Sequence, residues 1–93
     1  MSDVLQALQA TIDERRDHPR EGSYTCRLLA EGRSRVLQKV GEEAVEVVLA
    51  GAMADDGQFI YESADLVYHL MVALAERGLG WQDIEAELKR RFR

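Results

Sequence analysis

Residues 59–75, FIYESADLVYHLMVALA, place the strongest constraint on the fold. Apolar or aromatic side chains occupy almost every angle of a helix with this sequence, which indicates a buried helix. Glu62, Asp65 and His69 nevertheless fall within roughly 60° of one another, because their spacings are three and four. A buried carboxylate without a partner is costly, so these acids are expected to be paired or to bind a metal.

A second set of acids lies in the preceding segment, residues 34–54, which has no strand-like alternation and which we predict as one long helix. Glu42, Glu43 and Glu46 share one face of that helix, and Lys39 lies one turn before them. Taken alone, such a stripe is typical of a solvated helix face with Lys–Glu pairs. The acids of the following helix reverse that interpretation, because no water-facing side is evident there.

Too few cations are available to pair with all five acids. The helix that carries Glu62 and Asp65 has no Lys or Arg before Arg77. The cations of the preceding segment, Arg33, Arg35 and Lys39, can pair with one or two carboxylates only. A hard divalent cation with an all-oxygen shell is the economical solution, which favours Mg²⁺, or Mn²⁺ in its place. The two helices are then expected to lie antiparallel, joined by a turn at residues 55–57, with their acids facing each other.

Helical periodicity extends over the rest of the chain, and no βαβ pattern, internal repeat or low-complexity stretch interrupts it. The loop around Pro19, the only proline, is the clearest break. Ser2 or Asp3 is expected to cap the first helix, and Asp55 or Asp56 the fourth. The predicted fold class is all-α, a bundle of four to five helices. The predicted helices span residues 4–16, 24–30, 34–54, 58–77 and 81–92.

The composition limits the class of protein. Ninety-three residues with 46% hydrophobic and 31% charged content suggest one globular domain over residues 1–93, and oligomerisation commonly completes so small a core. The net charge of −5 argues against nucleic acid as the main partner but permits a phosphorylated small molecule when a cation lies between. The lone cysteine, Cys26, and the lack of a signal-peptide pattern or membrane-length apolar run predict a cytoplasmic protein with no membrane partner.

Three further residues are expected to have structural roles. His69 is the only histidine near the acids, so we expect it to hydrogen-bond Asp65 rather than to ligate a metal. Cys26 has no nearby base in the sequence and is expected to be a small packed residue. Trp81, at a helix start, is expected to anchor the core or an interface.

Three short motifs stand out: S-Y-T at residues 23–25, K-V-G-E-E-A-x-E at 39–46 and A-D-L-x-Y-H at 64–69. Together they resemble the phosphoribosyl-ATP pyrophosphatase family of histidine biosynthesis, and the resemblance covers nearly the whole chain. The E-E-x-x-E and E-x-x-D pair also resembles the wider all-α nucleotide pyrophosphohydrolases, which include the MazG and dimeric dUTPase groups. The resemblance implies a MazG-like bundle completed by homodimerisation, in a form without the cyclohydrolase that is fused to the family in some organisms. It implies Mg²⁺-dependent hydrolysis of phosphoribosyl-ATP to phosphoribosyl-AMP and pyrophosphate.

The resemblance and the charge argument together suggest roles for the acids. The metal shell is expected to consist of Glu43, Glu46, Glu62 and Asp65. The catalytic acids are expected to be Glu42, Glu43 and Glu46, with Glu42 either a further ligand or the base that orients water. Without a metal, so acidic a pocket would repel an anionic substrate.

The same reasoning suggests the residues that contact substrate. Lys39, with Arg33 or Arg35, is expected to contact phosphate. Tyr24 and Thr25, after the proline loop, are expected to hold ribose or phosphate oxygens. Threonine also favours helix starts, so a purely capping role for Thr25 is an equal alternative.

Other functions stay open on the sequence. A house-cleaning pyrophosphatase for ordinary or damaged nucleoside triphosphates would use the same acids. A non-catalytic helical dimerisation module would engage them in salt bridges between chains. A di-iron bundle does not fit, because it needs two E-x-x-H motifs. The number of metal ions, the identity of the base and the role of Gly41, which leaves room for substrate or for another helix, are also open.

Overall fold

The computed structural model describes residues 3–92, which form five helices and no strand, so the predicted all-α class is confirmed. The predicted helix ends agree with the structure to within two residues. The predicted cap Ser2 lies outside the described residues, and its alternative, Asp3, is the first residue of the first helix. None of these helices combines the length and apolar character that a membrane crossing requires. The helices are α1 Asp3–Asp17, α2 Tyr24–Ala30, α3 Arg33–Met53, α4 Asp56–Glu76 and α5 Trp81–Arg90.

Side-chain caps set the starts of α2 and α4. The Ser23 hydroxyl accepts a hydrogen bond from the Cys26 amide at 3.1 Å. The Asp55 carboxylate accepts one from the Gln58 amide at 2.9 Å. Of the two aspartates predicted as caps, Asp55 therefore has that role, and α4 begins at Asp56.

A glycine ends α4 and turns the chain toward α5. Gly78 has a φ of 75°, in the left-handed region that glycine adopts without steric cost. Its amide donates to the Ala75 carbonyl at 3.0 Å, and the next amide, of Leu79, donates to the Leu74 carbonyl at 2.8 Å. This pair of bonds is a Schellman motif and satisfies carbonyls that the helix end would otherwise leave free.

Helices α3 and α4 form an antiparallel hairpin, as predicted, and make the most extensive helix–helix contact in the fold. At one end, the Arg33 Nε lies 2.7 Å from Glu76 Oε1. At the other, the Phe59 ring packs on Gly51, where an added Cβ would lie 3.0 Å from Cε1. The hairpin therefore fixes which residues of the two helices face each other.

The core lies where α1 and α2 cover the hairpin. Its largest fully buried side chains come from α1, α2, α3 and α4. These side chains are Ile12, Leu28, Val36, Met71 and Val72. Because α1 and α2 pack against α4 beside α3, this end of the hairpin is the rigid support for any site built on its flank.

The expectation that α4 is buried throughout holds only for its C-terminal half. Phe59, Ile60 and Tyr61 are 41%, 67% and 66% exposed, whereas the buried residues of α4 begin at His69. The reason is geometric: within the described chain, α1 and α2 reach only the end of the hairpin that carries the core. Helix α4 therefore presents apolar side chains to solvent near its start.

Candidate active site

The hairpin brings two predicted metal ligands together on one flank. Ligand atoms of Glu43, Asp65 and His69 all lie within 4.8 Å of one another. Glu43 is only 8% exposed and His69 only 3%, while the Asp65 carboxylate is about half-buried. Two carboxylates this close repel each other, so the site has an affinity for positive charge.

Lys39 supplies the positive charge that the described residues place against these acids. Its Nζ lies 3.3 Å from Glu42 Oε1 and 3.3 Å from Glu43 Oε1. Burial acts to lower the pKa of Lys39, but its hydrogen bonds to Glu43 and Glu42 raise that pKa by more. The hydrogen bond from Lys39 in turn lowers the pKa of Glu42. Lysine and glutamate are therefore both charged at neutral pH.

His69 joins the acid cluster to α2. Its Nδ1 lies 2.8 Å from the main-chain carbonyl of Asp65 and 3.6 Å from Asp65 Oδ1, so the predicted bond to this residue involves the backbone. A carbonyl only accepts, and Nδ1 therefore carries the proton. Nε2 then accepts from the Tyr24 hydroxyl at 2.9 Å. Both nitrogens of the buried ring are thus engaged.

A second link joins the same two helices one residue away. The Thr25 hydroxyl, in a residue that is 8% exposed, hydrogen-bonds the Tyr68 hydroxyl. Burial raises the pKa of Tyr68. The aromatic rings of Tyr24, Tyr68 and His69 are in mutual contact, with centroids 4.9 to 6.2 Å apart. Tyr24 and Thr25, both predicted to contact substrate, differ in exposure. Thr25 faces inward, and Tyr24 is 38% exposed with Arg27 stacked 5.2 Å over its ring.

The other predicted metal ligands lie one turn nearer the α3–α4 connection. The antiparallel register places Glu46 opposite Glu62, as it places Glu43 opposite Asp65. Glu46 is exposed, and Glu62 is half-buried. A carboxylate oxygen of Glu62 accepts from Gln58 Nε2 at 2.9 Å. The four acids thus form two facing pairs, of which only the inner pair belongs to the compact cluster.

The two predicted arginines differ in position. Arg35 lies beside the site, with NH1 3.8 Å from Glu42 Oε2 and Nε 3.7 Å from Glu31 Oε1. Arg33 is paired with Glu76 at 2.7 Å, about 15 Å along the helix axis from Glu43 at the usual rise per residue. For Arg33 to contact phosphate as predicted, its ion pair with Glu76 would have to break.

A shallow depression adjoins the acids. It has a volume of about 300 Å³, and Asp65 and Tyr68 line it with Ile60, Tyr61 and Ala64. Its walls combine one carboxylate with aromatic and aliphatic surface, and two of the lining side chains, Ile60 and Tyr61, are mostly exposed. The sequence places Tyr68 only among the aromatic side chains of this helix and in the A-D-L-x-Y-H motif.

Comparison with known proteins identifies the family of this chain. The family model described as phosphoribosyl-ATP pyrophosphohydrolase matches residues 5–92. The chain belongs to this family. The resemblance predicted from its motifs is thereby confirmed, and its relatives are named as hydrolases.

Relatives of this chain align over nearly its whole length. A phosphoribosyl-ATP pyrophosphatase of Sphingopyxis alaskensis is 49% identical over 98% of this chain and 84% of its own length. One of Sulfurisphaera tokodaii is 45% identical over 99% of this chain and 98% of its own. A histidine biosynthesis bifunctional protein of Thermoanaerobacter pseudethanolicus is 45% identical over 90% of this chain, which spans only 39% of that longer relative.

Proposed function

We propose that this chain hydrolyses phosphoribosyl-ATP to phosphoribosyl-AMP and pyrophosphate in histidine biosynthesis, with Mg²⁺ as cofactor and Mn²⁺ as a substitute. The observation that carries the proposal is the facing pair Glu43 and Asp65, in a chain whose family match covers residues 5–92. The names of its relatives supply the substrate class. A cytoplasmic location is part of the proposal and rests on the reduced lone thiol that the sequence predicts.

The donor set fits a hard divalent cation. Glu43 and Asp65 offer carboxylate oxygens within 4.8 Å of each other, and Glu46 and Glu62 offer two more in the next turn. Among the described residues, Lys39 is the one Lys or Arg within ion-pair distance of Glu43, and Asp65 has none. When bound, Mg²⁺ would neutralise charge on the phosphate oxygens and lower the pKa of a coordinated water.

The residues of the chain then have separate tasks in the hydrolysis. Water attacks a phosphorus atom of the α–β anhydride, a new P–O bond forms, and the bridging P–O bond breaks to release pyrophosphate. Glu42, whose Oε1 lies 3.3 Å from Lys39 Nζ beside the metal ligands, is either a further ligand or the base that accepts the proton of the attacking water. Lys39 and Arg35, on the same flank, balance negative charge that develops on the phosphate oxygens.

The test is pyrophosphate release from phosphoribosyl-ATP as a function of Mg²⁺ concentration. Loss of an outer group that orients a metal ligand costs about 10–100-fold, so Glu46→Gln and Asp65→Asn, which alter ligands themselves, should each cost more than about 100-fold. Glu85→Gln, which changes an acid on α5, is the matched control and should keep full activity. Unchanged release in both site variants would show that the metal shell is wrongly assigned.

Two competing functions give different results in the same assay. A house-cleaning pyrophosphatase would release pyrophosphate faster from dUTP or dCTP than from phosphoribosyl-ATP. A non-catalytic dimerisation module would release none, and its melting temperature would not respond to Mg²⁺ or EDTA. A metal site predicts instead a saturable rise of the melting temperature with Mg²⁺.

We also propose that the chain forms a homodimer through the exposed apolar surface of the hairpin. This surface is defined by six side chains that are 48–82% exposed. They are Val45, Val48, Leu49, Met53, Ile60 and Tyr61. Large apolar patches on small domains are typically covered in an assembly, because their burial stabilises a core that a short chain cannot complete. Light scattering during size-exclusion chromatography should give twice the chain mass of 10.5 kDa.

A further inference from the structure

His69 is the buried titratable residue for which the proposed reaction has no task. It is 3% exposed, and ring contacts hold it on two sides. The Tyr68 ring packs edge-on at 4.9 Å and 84°, and the Tyr24 ring at 5.7 Å and 78°. The ring therefore cannot turn without displacing a neighbour, which fixes the direction of both nitrogens.

We propose that His69 is a positioning residue that holds Tyr24 on α2 at a fixed place relative to Asp65 on α4, and that it does not itself bind the metal. The inference rests on the proposed function, which assigns Asp65 to the metal, and on the expectation from the family resemblance that Tyr24 contacts substrate. The new element is a connection between the metal side and the substrate side of the site, made by the two hydrogen bonds of the His69 ring.

The hydrogen bonds of His69 argue for positioning and against ligation. Nδ1–H donates to the Asp65 carbonyl at 2.8 Å, so its lone pair is not free for a cation. Nε2 accepts from the Tyr24 hydroxyl at 2.9 Å. Ligation through either nitrogen would break one of these bonds inside a buried, ring-packed pocket, which costs the desolvation of the group left behind.

A second hydrogen bond between α2 and α4 keeps α2 in place when His69 is changed. Thr25 and Tyr68 hydrogen-bond each other one residue along both helices. The caps at Ser23 and the buried Leu28 also hold α2 without involving His69. Substitutions at His69 should therefore leave the fold intact while they release the Tyr24 hydroxyl or the Asp65 carbonyl selectively.

Two amide substitutions separate the two bonds of the ring. His69→Asn keeps a donor near the position of Nδ1 and loses the partner of Tyr24. His69→Gln keeps a polar atom near the position of Nε2 and loses the bond to Asp65. His18→Asn, in the other histidine of the chain, is an exposed control for the change of residue type.

The readouts are the affinity for Mn²⁺ without substrate, measured by electron paramagnetic resonance, and the separate KM and kcat for phosphoribosyl-ATP. We expect His69→Gln to weaken Mn²⁺ binding by less than about tenfold, because Nδ1 bonds the Asp65 main-chain carbonyl and lies 3.6 Å from the carboxylate that would bind the metal. We expect His69→Asn to bind Mn²⁺ as the unaltered chain does and to raise KM to the same extent as Tyr24→Phe. The double variant Tyr24→Phe/His69→Asn should show no further rise, because both changes remove the same bond.

Two results would overturn the inference. Loss of Mn²⁺ binding by more than about 100-fold in both histidine variants, with Tyr24→Phe unaffected, would make His69 a ligand. Unchanged KM and Mn²⁺ affinity in both variants would leave it a packing residue. An unaltered chain that releases no pyrophosphate from phosphoribosyl-ATP would instead contradict the proposed function, and the Mn²⁺ measurement would still test the link between His69 and Asp65.

Discussion

Lys39 faces two glutamates at the point where the two acidic helices meet. Its side chain is 19% exposed and that of Glu43 only 10%, so the pair is largely shielded from water. Glu42 is more exposed and shares the same ammonium group. One lysine therefore balances part of a cluster that has more negative than positive groups, and a bound cation would compete with it for Glu43.

Replacing Lys39 by methionine should separate these two sources of positive charge. Without Mg²⁺, Lys39→Met should lower the free energy of unfolding by about 1–3 kcal/mol, because the Glu43 carboxylate loses its hydrogen-bonded partner. Saturating Mg²⁺ should raise the melting temperature by more in the variant than in the unaltered chain. Lys89→Met, on the exposed end of α5, is the control. An equal response to Mg²⁺ in all three proteins would contradict competition at Glu43.

The sequence predicted which acids share a helix face but not how deeply each lies. Glu43 and Glu46 follow Lys39 by four and seven residues and therefore share its helix face. Glu43 is nevertheless buried, and Glu46 is exposed. The difference depends on where α3 crosses α4, which no local pattern specifies. The bond between Tyr24 and His69 was likewise invisible, because 45 residues separate them.

At the level of elements, α3 contains two glycines with different surroundings. An added Cβ at Gly41 meets no atom within 4 Å, whereas one at Gly51 meets the Phe59 ring at 3.0 Å. The sequence alone could not distinguish them, because both lie in the same helical periodicity. Gly51 is explained by the close approach of α4, and Gly41 is not explained by any contact within residues 3–92.

Alanine at the two glycines should therefore have unequal effects. Gly41→Ala should stabilise the chain by about 0.5–1 kcal/mol, because alanine is the better helix former and the space is open. Gly51→Ala should gain less, since the Phe59 ring must shift. Urea unfolding of both variants measures the difference. A loss of stability in Gly41→Ala would mean that a second chain occupies the space, and a loss of activity alone would mean that substrate does.

Helix α5 gives a prediction about acid stability. Hydrogen bonds from Arg90 and Arg91 lower the pKa of Glu87. The Arg91 Nε lies 3.0 Å from Glu87 Oε2. A carboxylate with a lowered pKa stabilises the fold above the unfolded value of about 4.3, and that stabilisation is lost as pH falls through the lower folded value. The stability advantage of the unaltered chain over Glu87→Gln should therefore be present at neutral pH and shrink in acid.

Urea midpoints at neutral pH and well below the unfolded pKa measure this change. Glu85→Gln is the matched control, because it removes a carboxylate of α5 that has no ion pair in the described part of the chain. A difference between the two variants that is independent of pH would contradict the assignment to Glu87. The stabilisation by Glu87 should also weaken in high salt, since the side chains of Glu87, Arg90 and Arg91 are all in contact with solvent.

At the scale of the whole molecule, the order and class of the helices could be predicted because periodicity, caps and the short connection at residues 54–55 all agree. The burial of α4 could not. Its apolar character on every side predicted a fully covered helix, but the described chain covers only its C-terminal half. The uncovered N-terminal half of α4 is the best physical argument for a second copy of the chain. Apolar residues that are exposed in the single chain can be buried in an assembly.

The homodimer predicts that stability depends on protein concentration. If folding and association are coupled, a 100-fold rise in concentration stabilises the dimer by about 2.7 kcal/mol, and the melting temperature rises with it. Val48→Lys, at a position that is 68% exposed in the single chain, should abolish this dependence and halve the mass in solution. Leu88→Lys, at an exposed apolar position of α5, should leave both unchanged. A melting temperature of the unaltered chain that does not vary with concentration would contradict an obligate dimer and leave the apolar surface of the hairpin for another partner.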